Sequence, residues 1–359
     1  MKKIAKQLAV VTLVSSAFVV SAGANAAETV TLKLAHFLPP VAAIQAKVFG
    51  PWCDNLDKES NGRLKCQIYP AMQLGGTPPQ LVDQVKNGVA DIVWTAPGYS
   101  AGRFPAIEAM ELPFVISDSL SSSRAAWEFV QKHAKKEFEA YKVLAVQTDG
   151  GASIHSGSKD VPNLASLKGL KFRASNRLMS KTVAALGATP VSMPPAQMTE
   201  AISKGVVDGA VSSWEVVLPT KLDEVTKFHL ETGAGNPQIA GTVLITLMNK
   251  AKYDSLPADL KAILDRNSGL ALSEAQGRAF DETVNATRVK VLKSGAKINL
   301  ATGAELDALK KAAAVVEEEW IKEATGKGLD GKALAEAAHA LATPAAPAKA
   351  AATAKPAKK

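Results

Sequence analysis

The chain has 359 residues, of which 47% are hydrophobic and 21% are charged, and its formal net charge is +8 at pH 7. This length allows one two-lobed protein or two domains with a substantial buried core, and the hydrophobic fraction is that of a globular protein. Three of the surplus positive charges lie in residues 1–26 and four in residues 342–359, so residues 27–341 are nearly neutral. This distribution excludes a nucleic-acid-binding body, which would carry the basic surplus itself.

Both ends of the chain differ from its body. In residues 1–26, three lysines precede an apolar run over residues 8–20, and residues 24–26, Ala-Asn-Ala, form a small-x-small cleavage site. This is the organisation of a secretory signal peptide, and the apolar run is too short to favour a membrane anchor. The mature chain is therefore expected to begin at Ala27 in the periplasm. The Ala/Pro/Lys/Thr composition of residues 342–359 predicts a disordered tail.

The first elements after the leader are predicted to be a strand, a helix and a second strand. The strand over residues 30–35 places His36 and Phe37 at its carboxyl end, where ligands bind in open α/β sheets. A lone histidine is commonly a structural residue, so His36 stays open between a ligand contact and a structural role. The helix is predicted over residues 41–59 and the second strand over residues 64–69.

The only two cysteines, Cys53 and Cys66, lie on that helix and on that second strand. Export to an oxidising compartment favours a disulfide between them. A zinc site is not favoured, because the chain has no further cysteine and no histidine nearby to complete the ligand set.

A segment of the chain is repeated. Residues 78–91 align without gaps on residues 195–208 at a constant offset of 117 residues. Each copy is predicted to be an amphipathic helix that ends at a glycine and leads into an apolar strand. The offset is too long for a solenoid repeat, so the pattern indicates two similar α/β units with a ligand site between them. Asp91 and Asp208 occupy the same place in the two copies, which favours a shared structural role over acid–base chemistry.

Aromatic and polar residues follow both copies of the repeat. Trp94, Thr95 and Tyr99 come after the first copy, and Trp214 and Glu215 come after the second. Aromatic residues are commonly part of the core. Their position at the end of a strand favours ligand binding here.

Alternating apolar and polar residues over 170–175 predict a short strand with Arg173 at its carboxyl end. Ser175 or Asn176 then offers an N-cap for a helix that ends at Gly187. A guanidinium at this place can bind a carboxylate through two parallel hydrogen bonds. The alternative is an arginine in a surface salt bridge.

The last third of the chain is predicted to be mostly helical. Residues 257–293 form a helical pattern with a possible bend at residues 267–269, and residues 297–300 resemble a last strand. Residues 305–341 are again helical, with a break at Gly326 and Gly328.

Several motifs in these elements occur in the order and spacing of one known family. They are Leu34-Ala35-His36, Gln73-Leu74-Gly75-Gly76, residues 88–91, Glu111-Leu112-Pro113-Phe114, residues 168–173 and residues 205–209. From about residue 30 to about residue 341, the chain therefore resembles the extracytoplasmic solute-binding proteins of tripartite ATP-independent periplasmic (TRAP) transporters, the DctP family.

The resemblance implies an α/β fold of two lobes, a type II-like periplasmic binding protein with the ligand cleft between the lobes and a long helix spanning both. It implies a first lobe of residues 27–149 plus 236–277 and a second lobe of residues 150–235 plus 278–341. The receptor is expected to be a monomer without a cofactor or a metal site, and assistance of binding by an ion stays open. The implied partners are a small carboxylate and the TRAP membrane permease subunits that receive it.

Departures from the family pattern indicate the ligand class. In the family the arginine matching Arg173 pairs with the carboxylate of an organic acid, whereas Ala152 stands where sugar-acid binders often have a second arginine. Polar pocket positions of the family match Phe37, Ala96 and Tyr99, and a common pocket asparagine matches Ser212. The resemblance thus implies a monocarboxylate with an apolar or aromatic body. A sugar acid or a dicarboxylate is the alternative.

Arg177 stays open between a second cation for the ligand and a solvent-facing residue. The candidate ligand-binding residues are Arg173, His36, Phe37, Trp94, Thr95, Tyr99, Ser175, Asn176, Arg177, Ser212 and Trp214. Neither the His-Glu-x-x-His pattern nor a Gly-Lys-Ser/Thr phosphate loop occurs, which favours a receptor over an enzyme. The alternatives from other classes are a periplasmic enzyme acting on an organic acid and a binding protein that serves a sensor or an ATP-driven importer.

Overall fold

The computed structural model describes residues 29–233 and 236–342. Its strands are β1 (Val30–His36), β2 (Leu64–Tyr69), β3 (Ile92–Thr95), β4 (Tyr141–Thr148), β5 (Ser153–Ser156), β6 (Lys171–Ala174), β7 (Thr189–Ser192), β8 (Gly209–Ser212), β9 (Phe228–Glu231), β10 (Val243–Asn249) and β11 (Lys297–Leu300). Its α-helices are α1 (Gly50–Glu59), α2 (Leu81–Lys86), α3 (Ser119–Phe129), α4 (Arg177–Ala185), α5 (Met198–Ser203), α6 (Lys250–Ser255), α7 (Ala258–Arg266), α8 (Leu270–Lys293), α9 (Ala304–Gly326) and α10 (Gly331–Ala342). The predicted signal peptide and residues 343–359 of the predicted tail lie outside the described residues. None of the described helices is long and apolar enough to cross a membrane.

The strands form two mixed sheets of corresponding order. The first sheet runs β2-β1-β3-β10-β4 and the second runs β11-β9-β5-β8-β6-β7. In each sheet a parallel trio (β2, β1 and β3, or β7, β6 and β8) is followed by one antiparallel strand, β10 or β5. The predicted α/β class is therefore confirmed, and the repeat strands β3 and β8 occupy equivalent places.

The chain connects the two sheets through short segments. β4 leads into β5 and β9 leads back into β10, and these two connections are bridged where the Ala152 amide donates to the Ala240 carbonyl at 2.7 Å. The long helix α8 packs against α3 and β4 beside the first sheet and leads into β11 of the second. The predicted bend before it is a break at residues 267–269 between α7 and α8, where Gly269 has a φ of 72°.

The two last helices pack on different partners. α9 packs against α4, whereas α10 packs against α3 beside the first sheet. The two helices also pack against each other. The division into lobes stays a prediction.

The repeated aspartates have the same structural role, as the duplication predicted. The Asp91 carboxylate accepts the backbone N–H of Lys33, and the Asp208 carboxylate accepts that of Lys171, both at 2.8 Å. Each aspartate also donates its own amide to the carbonyl of the same lysine. These paired bonds fix the start of the repeat strand against its parallel neighbour.

The predicted disulfide joins Cys53 of α1 to Cys66 of β2, with the two Cα atoms 5.6 Å apart. Closing a loop this short stabilises the folded chain by about 3 kcal/mol in the chain-entropy model. The bond fastens the edge strand of the first sheet to the helix that precedes it.

Candidate ligand-binding site

An internal cavity lies between the two sheets, where the carboxyl ends of β1, β3, β6 and β8 converge. Its cavity volume is about 30 Å³, well below the roughly 300–1,000 Å³ typical of ligand sites, so the cavity is narrow in this structure. It is lined by Phe37, Leu38, Trp94, Tyr99, Asp149, Arg173, Ser175, Met179, Pro195, Ser212, Ser213, Glu215, Val216, Thr242 and Leu244. We call this space the inner cavity.

Arg173 is the cation of the inner cavity. It lies near the carboxyl end of β6 and is only 2% exposed. Its Nε donates to the Met193 carbonyl at 2.9 Å and its Nη1 to the Val211 carbonyl at 3.3 Å. Nη2 is buried and has no hydrogen-bond partner in the part of the chain that the structure describes.

Burial lowers the pKa of Arg173. An arginine nevertheless keeps its proton in proteins, so the positive charge remains. Its two hydrogen bonds of regular geometry go to carbonyl groups, and the Tyr99 hydroxyl also lies close enough to oppose the lowering of its pKa, so the guanidinium is held in place without a hydrogen-bonded carboxylate. This arrangement suits an incoming anion, which would pair with the unused Nη2.

Aromatic rings form one wall of the inner cavity. The rings of Phe37 and Trp94 stack with their centroids 4.9 Å apart, and Tyr99 meets Phe37 edge to face at 5.5 Å. The Trp94 indole N–H donates to the Gln147 side chain at 3.1 Å, which fixes the ring. Such a wall favours a flat apolar ligand, since aromatic pairs are stabilised beyond the area they bury.

Two buried carboxyl groups complete the lining. Glu215 is 2% exposed, and its Oε1 accepts the Ser213 hydroxyl at 3.4 Å. Burial, followed by the charge of Asp149, raises the pKa of Glu215 to about 8. Burial raises the pKa of Asp149 to about 6, although its carboxylate accepts the Gly151 amide at 2.9 Å. At neutral pH Glu215 therefore holds its proton, whereas Asp149 is mostly ionised.

Neither carboxyl group was among the predicted ligand contacts. A signal for Glu215 was present, since it follows the second repeat in the place that corresponds to the loop of Tyr99. Asp149 directly follows β4 and carried no pattern of its own. Among residues 29–233 and 236–342, no group of three or more His, Cys, Asp or Glu side chains is placed to hold a metal ion.

Six of the predicted ligand contacts line the inner cavity. These are Arg173, Phe37, Trp94, Tyr99, Ser175 and Ser212. The other five, His36, Thr95, Asn176, Arg177 and Trp214, do not line it.

His36 takes the structural role. It is fully buried, its Nε2 lies 2.9 Å from the Gln45 side-chain oxygen, and its ring meets the edge of Trp94. Burial lowers the pKa of His36 to about 4, so it is neutral at pH 7. Thr95 also bonds away from the cavity, donating its hydroxyl to the Pro78 carbonyl at 3.3 Å.

Asn176 and Trp214 serve local structure. Asn176 is the N-cap of α4, where its side chain accepts the Met179 amide at 2.8 Å. The Trp214 indole N–H donates to Glu231 at 2.8 Å, and its ring packs against His155 and His229.

Arg177 lies outside the inner cavity, in a network of ion pairs. Its guanidinium pairs with Glu108 at 2.5 Å and also with Glu323 of α9. Glu108 in turn accepts the Trp320 indole N–H at 3.3 Å. Arg177 therefore joins α4 to other helical segments and is neither a second cation of the inner cavity nor a free surface residue.

An outer pocket adjoins the inner cavity and shares Tyr99 and Ser175 with it. It is flanked by Pro78 and Pro79 of the first repeat and by Pro194 beside the second. The repeated segments thus face each other at the entrance between the two sheets.

The model of the family "Bacterial extracellular solute-binding protein, family 7", DctP, matches residues 34–323. The chain belongs to this family. The match covers most of the chain and includes every residue of the inner cavity. The family predicted from the sequence is therefore confirmed.

Solved structures place the receptor among the TRAP solute-binding proteins. One from a marine metagenome, described as specific for aromatic acid ligands and in complex with 3-hydroxybenzoate, is 43% identical, with a TM-score of 0.85 over 88% of this chain and 98% of that one. A protein from Rhodoferax ferrireducens with copurified benzoate is also 43% identical, with the same TM-score and coverage. A protein from Bordetella bronchiseptica with bound (R)- and (S)-mandelate is 28% identical, with a TM-score of 0.79 over 87% of this chain and 98% of that one.

These likenesses confirm several predictions. The receptor has the two-lobed periplasmic-binding-protein fold and the extracytoplasmic location of its family. The related TRAP receptors are described with small carboxylates, 3-hydroxybenzoate in one and benzoate in the other.

Proposed function

We propose that this receptor binds an aromatic monocarboxylate in the inner cavity, delivers it to its permease and catalyses no reaction. The observation that carries the proposal is Arg173, a buried cation whose Nη2 has no recorded partner beside a wall of stacked aromatic rings. The relatives that are 43% identical are described with benzoate and 3-hydroxybenzoate, which have this chemistry.

The charges of the cavity disfavour the alternative ligands. A dicarboxylate would bury a second negative charge near Asp149 and Glu215, and a buried charge without its own cation costs several kcal/mol. A sugar acid would exchange many hydrogen bonds to water for contacts with apolar walls. A single carboxylate on an aromatic ring avoids both costs, and the ring gains about 0.5–1.5 kcal/mol for each aromatic contact.

Residues 98–102, Gly-Tyr-Ser-Ala-Gly, have the Gly-x-Ser-x-Gly spacing of a nucleophile elbow and so bear on the enzyme alternative. In the structure Ser100 follows the 3-10 turn Pro97–Tyr99 rather than a sharp turn from a strand into an α-helix. Its hydroxyl donates to the Pro79 carbonyl at 3.3 Å rather than to a histidine. This geometry supports a receptor rather than a hydrolase.

Thermal unfolding with a panel of acids tests the proposal. We expect benzoate, 3-hydroxybenzoate and mandelate to stabilise the protein, by about 2.7 kcal/mol for a ligand at 100 times its dissociation constant. Succinate, malate and galacturonate are expected to have little effect, and chromatography of the same samples should recover every acid unchanged. Stabilisation by the last three acids alone would contradict the proposed ligand class, and consumption of an acid would contradict the absence of catalysis.

A further inference from the structure

Two buried polar atoms of opposite character lie unused in the lining of the inner cavity. One is the donor Nη2 of Arg173, and the other is Oε2 of Glu215. Both side chains are at least nine-tenths buried, and neither atom has a hydrogen-bond partner among the residues described. Buried polar atoms without partners are rare in native proteins, because each costs free energy until it is satisfied.

The two atoms do not satisfy each other. Arg173 donates to the Met193 and Val211 carbonyls and lies beside the Tyr99 hydroxyl, whereas Glu215 accepts the Ser213 hydroxyl at the long distance of 3.4 Å. A bare benzoate would satisfy the guanidinium and leave the Glu215 oxygen unpaired. A ligand with a carboxylate and also a hydroxyl group would satisfy both.

We propose that Glu215 is a specificity-determining residue, whose carboxyl group hydrogen-bonds a hydroxyl substituent and so selects hydroxylated aromatic acids over their unsubstituted parents. This inference rests on the proposed function, since it presumes that the ligand carboxylate pairs with Arg173. The hydroxyl can stand on the ring or on the carbon next to the carboxylate, because either position provides the same donor and acceptor.

The titratable groups that face Glu215 are consistent with this role. They are Asp149 after β4 and the Tyr99 hydroxyl, whose pKa burial raises to about 12, and Arg173 lines the same cavity. Because burial raises the pKa of Glu215 to about 8, its carboxyl group is neutral at pH 7 and can both donate and accept a hydrogen bond. A neutral carboxyl also avoids repelling the ligand carboxylate.

Calorimetry at pH 7 with matched ligand pairs tests the inference. The pairs are benzoate with each of its three monohydroxy isomers, and phenylacetate with mandelate, so the two positions of the hydroxyl are distinguished. In the wild type we expect at least one hydroxylated acid to bind about tenfold more tightly than its parent. In Glu215→Met, which keeps an unbranched side chain without the carboxyl, that ratio should fall to within about twofold. In Glu215→Gln it should be largely kept, because the amide can also donate and accept.

The outcomes separate the two proposals. Binding of benzoate without any preference for a hydroxylated acid, or an unchanged ratio in Glu215→Met, would overturn the role of Glu215 and leave the proposed function standing. Failure of every aromatic acid to bind the wild type would overturn both. If Glu215→Met does not fold, infrared difference spectra of the wild type decide. The stretching band of the protonated carboxyl should shift between the benzoate and hydroxyacid complexes and be missing in Glu215→Gln, and a band that does not shift would overturn the inference.

Discussion

Replacing Arg173 with alanine is expected to weaken binding of an aromatic acid by about 2–5 kcal/mol, because the substitution leaves a buried carboxylate without its cation. This corresponds to a rise in the dissociation constant of roughly thirtyfold or more. Calorimetry with benzoate measures the effect. The loss is large because Arg173 is only 2% exposed and its charge is therefore weakly screened by solvent.

A matched pair of conservative variants separates charge from geometry. Arg173→Lys is expected to recover little affinity, since an ammonium group cannot hold the Met193 and Val211 carbonyls and also offer a planar donor to the ligand. Arg177→Lys, four residues along, should bind nearly as the wild type does, because a lysine can still pair with Glu108 and Glu323. Near-native affinity in Arg173→Ala, or an equal loss of affinity in both lysine variants, would contradict a ligand site at Arg173.

The second large effect concerns stability without ligand. The pKa of Glu215 is raised to about 8 in the folded state from 4.5, so the folded protein keeps a proton that the unfolded chain releases. The Glu215 contribution is therefore fully present below pH 4.5 and is lost as the pH rises toward 8. Glu215→Gln does not titrate, so its free energy of unfolding has no such loss. Relative to the wild type, the free energy of unfolding of the variant should rise by on the order of 4 kcal/mol between pH 4.5 and pH 9, at about 1.36 kcal/mol for each pKa unit.

Urea unfolding of the wild type and Glu215→Gln at several pH values checks this expectation. Other buried groups also titrate, for example His36 and His155, whose lowered pKa values of about 4 reduce stability as the pH falls below 6.5. These contributions are common to both proteins and cancel in the difference. If the free energy of unfolding depended on pH in the same way in both proteins, Glu215 would be ionised in the folded state at neutral pH and the prediction would be wrong.

The repeat and the central strand could be predicted because their signals are local. The alignment of residues 78–91 with 195–208 predicted two equivalent units. In the structure β3 is the third strand from the β2 edge of its sheet, and β8 is the third strand from the β7 edge of the other. The alternation around Arg173 predicted a strand end, and the structure places Arg173 in the inner cavity. A period of two residues carries this information without any tertiary contact.

The strand ends could be predicted from the sequence more reliably than the residue, of two neighbours, that faces the cavity. Successive side chains of a strand point to opposite faces. Phe37 and Trp94 line the cavity, whereas their neighbours His36 and Thr95 bond to Gln45 and Pro78. Both neighbours at each of these strand ends were therefore among the predicted ligand contacts.

A similar ambiguity applies to the turn after β8. Trp214 and Glu215 are adjacent in the 3-10 turn Trp214–Val216, where consecutive side chains point in different directions. Glu215 lines the cavity and Trp214 packs on His155. The ion pair of Arg177 had no sequence signal either, because Glu323 lies 146 residues further along the chain.

A crystal structure of the wild-type protein with benzoate tests the central claim most directly. We expect one benzoate in the inner cavity, with a carboxylate oxygen within about 3.2 Å of Arg173 Nη2 and the ring against Phe37 and Trp94. A benzoate in the outer pocket, or a carboxylate bound away from Arg173, would contradict it.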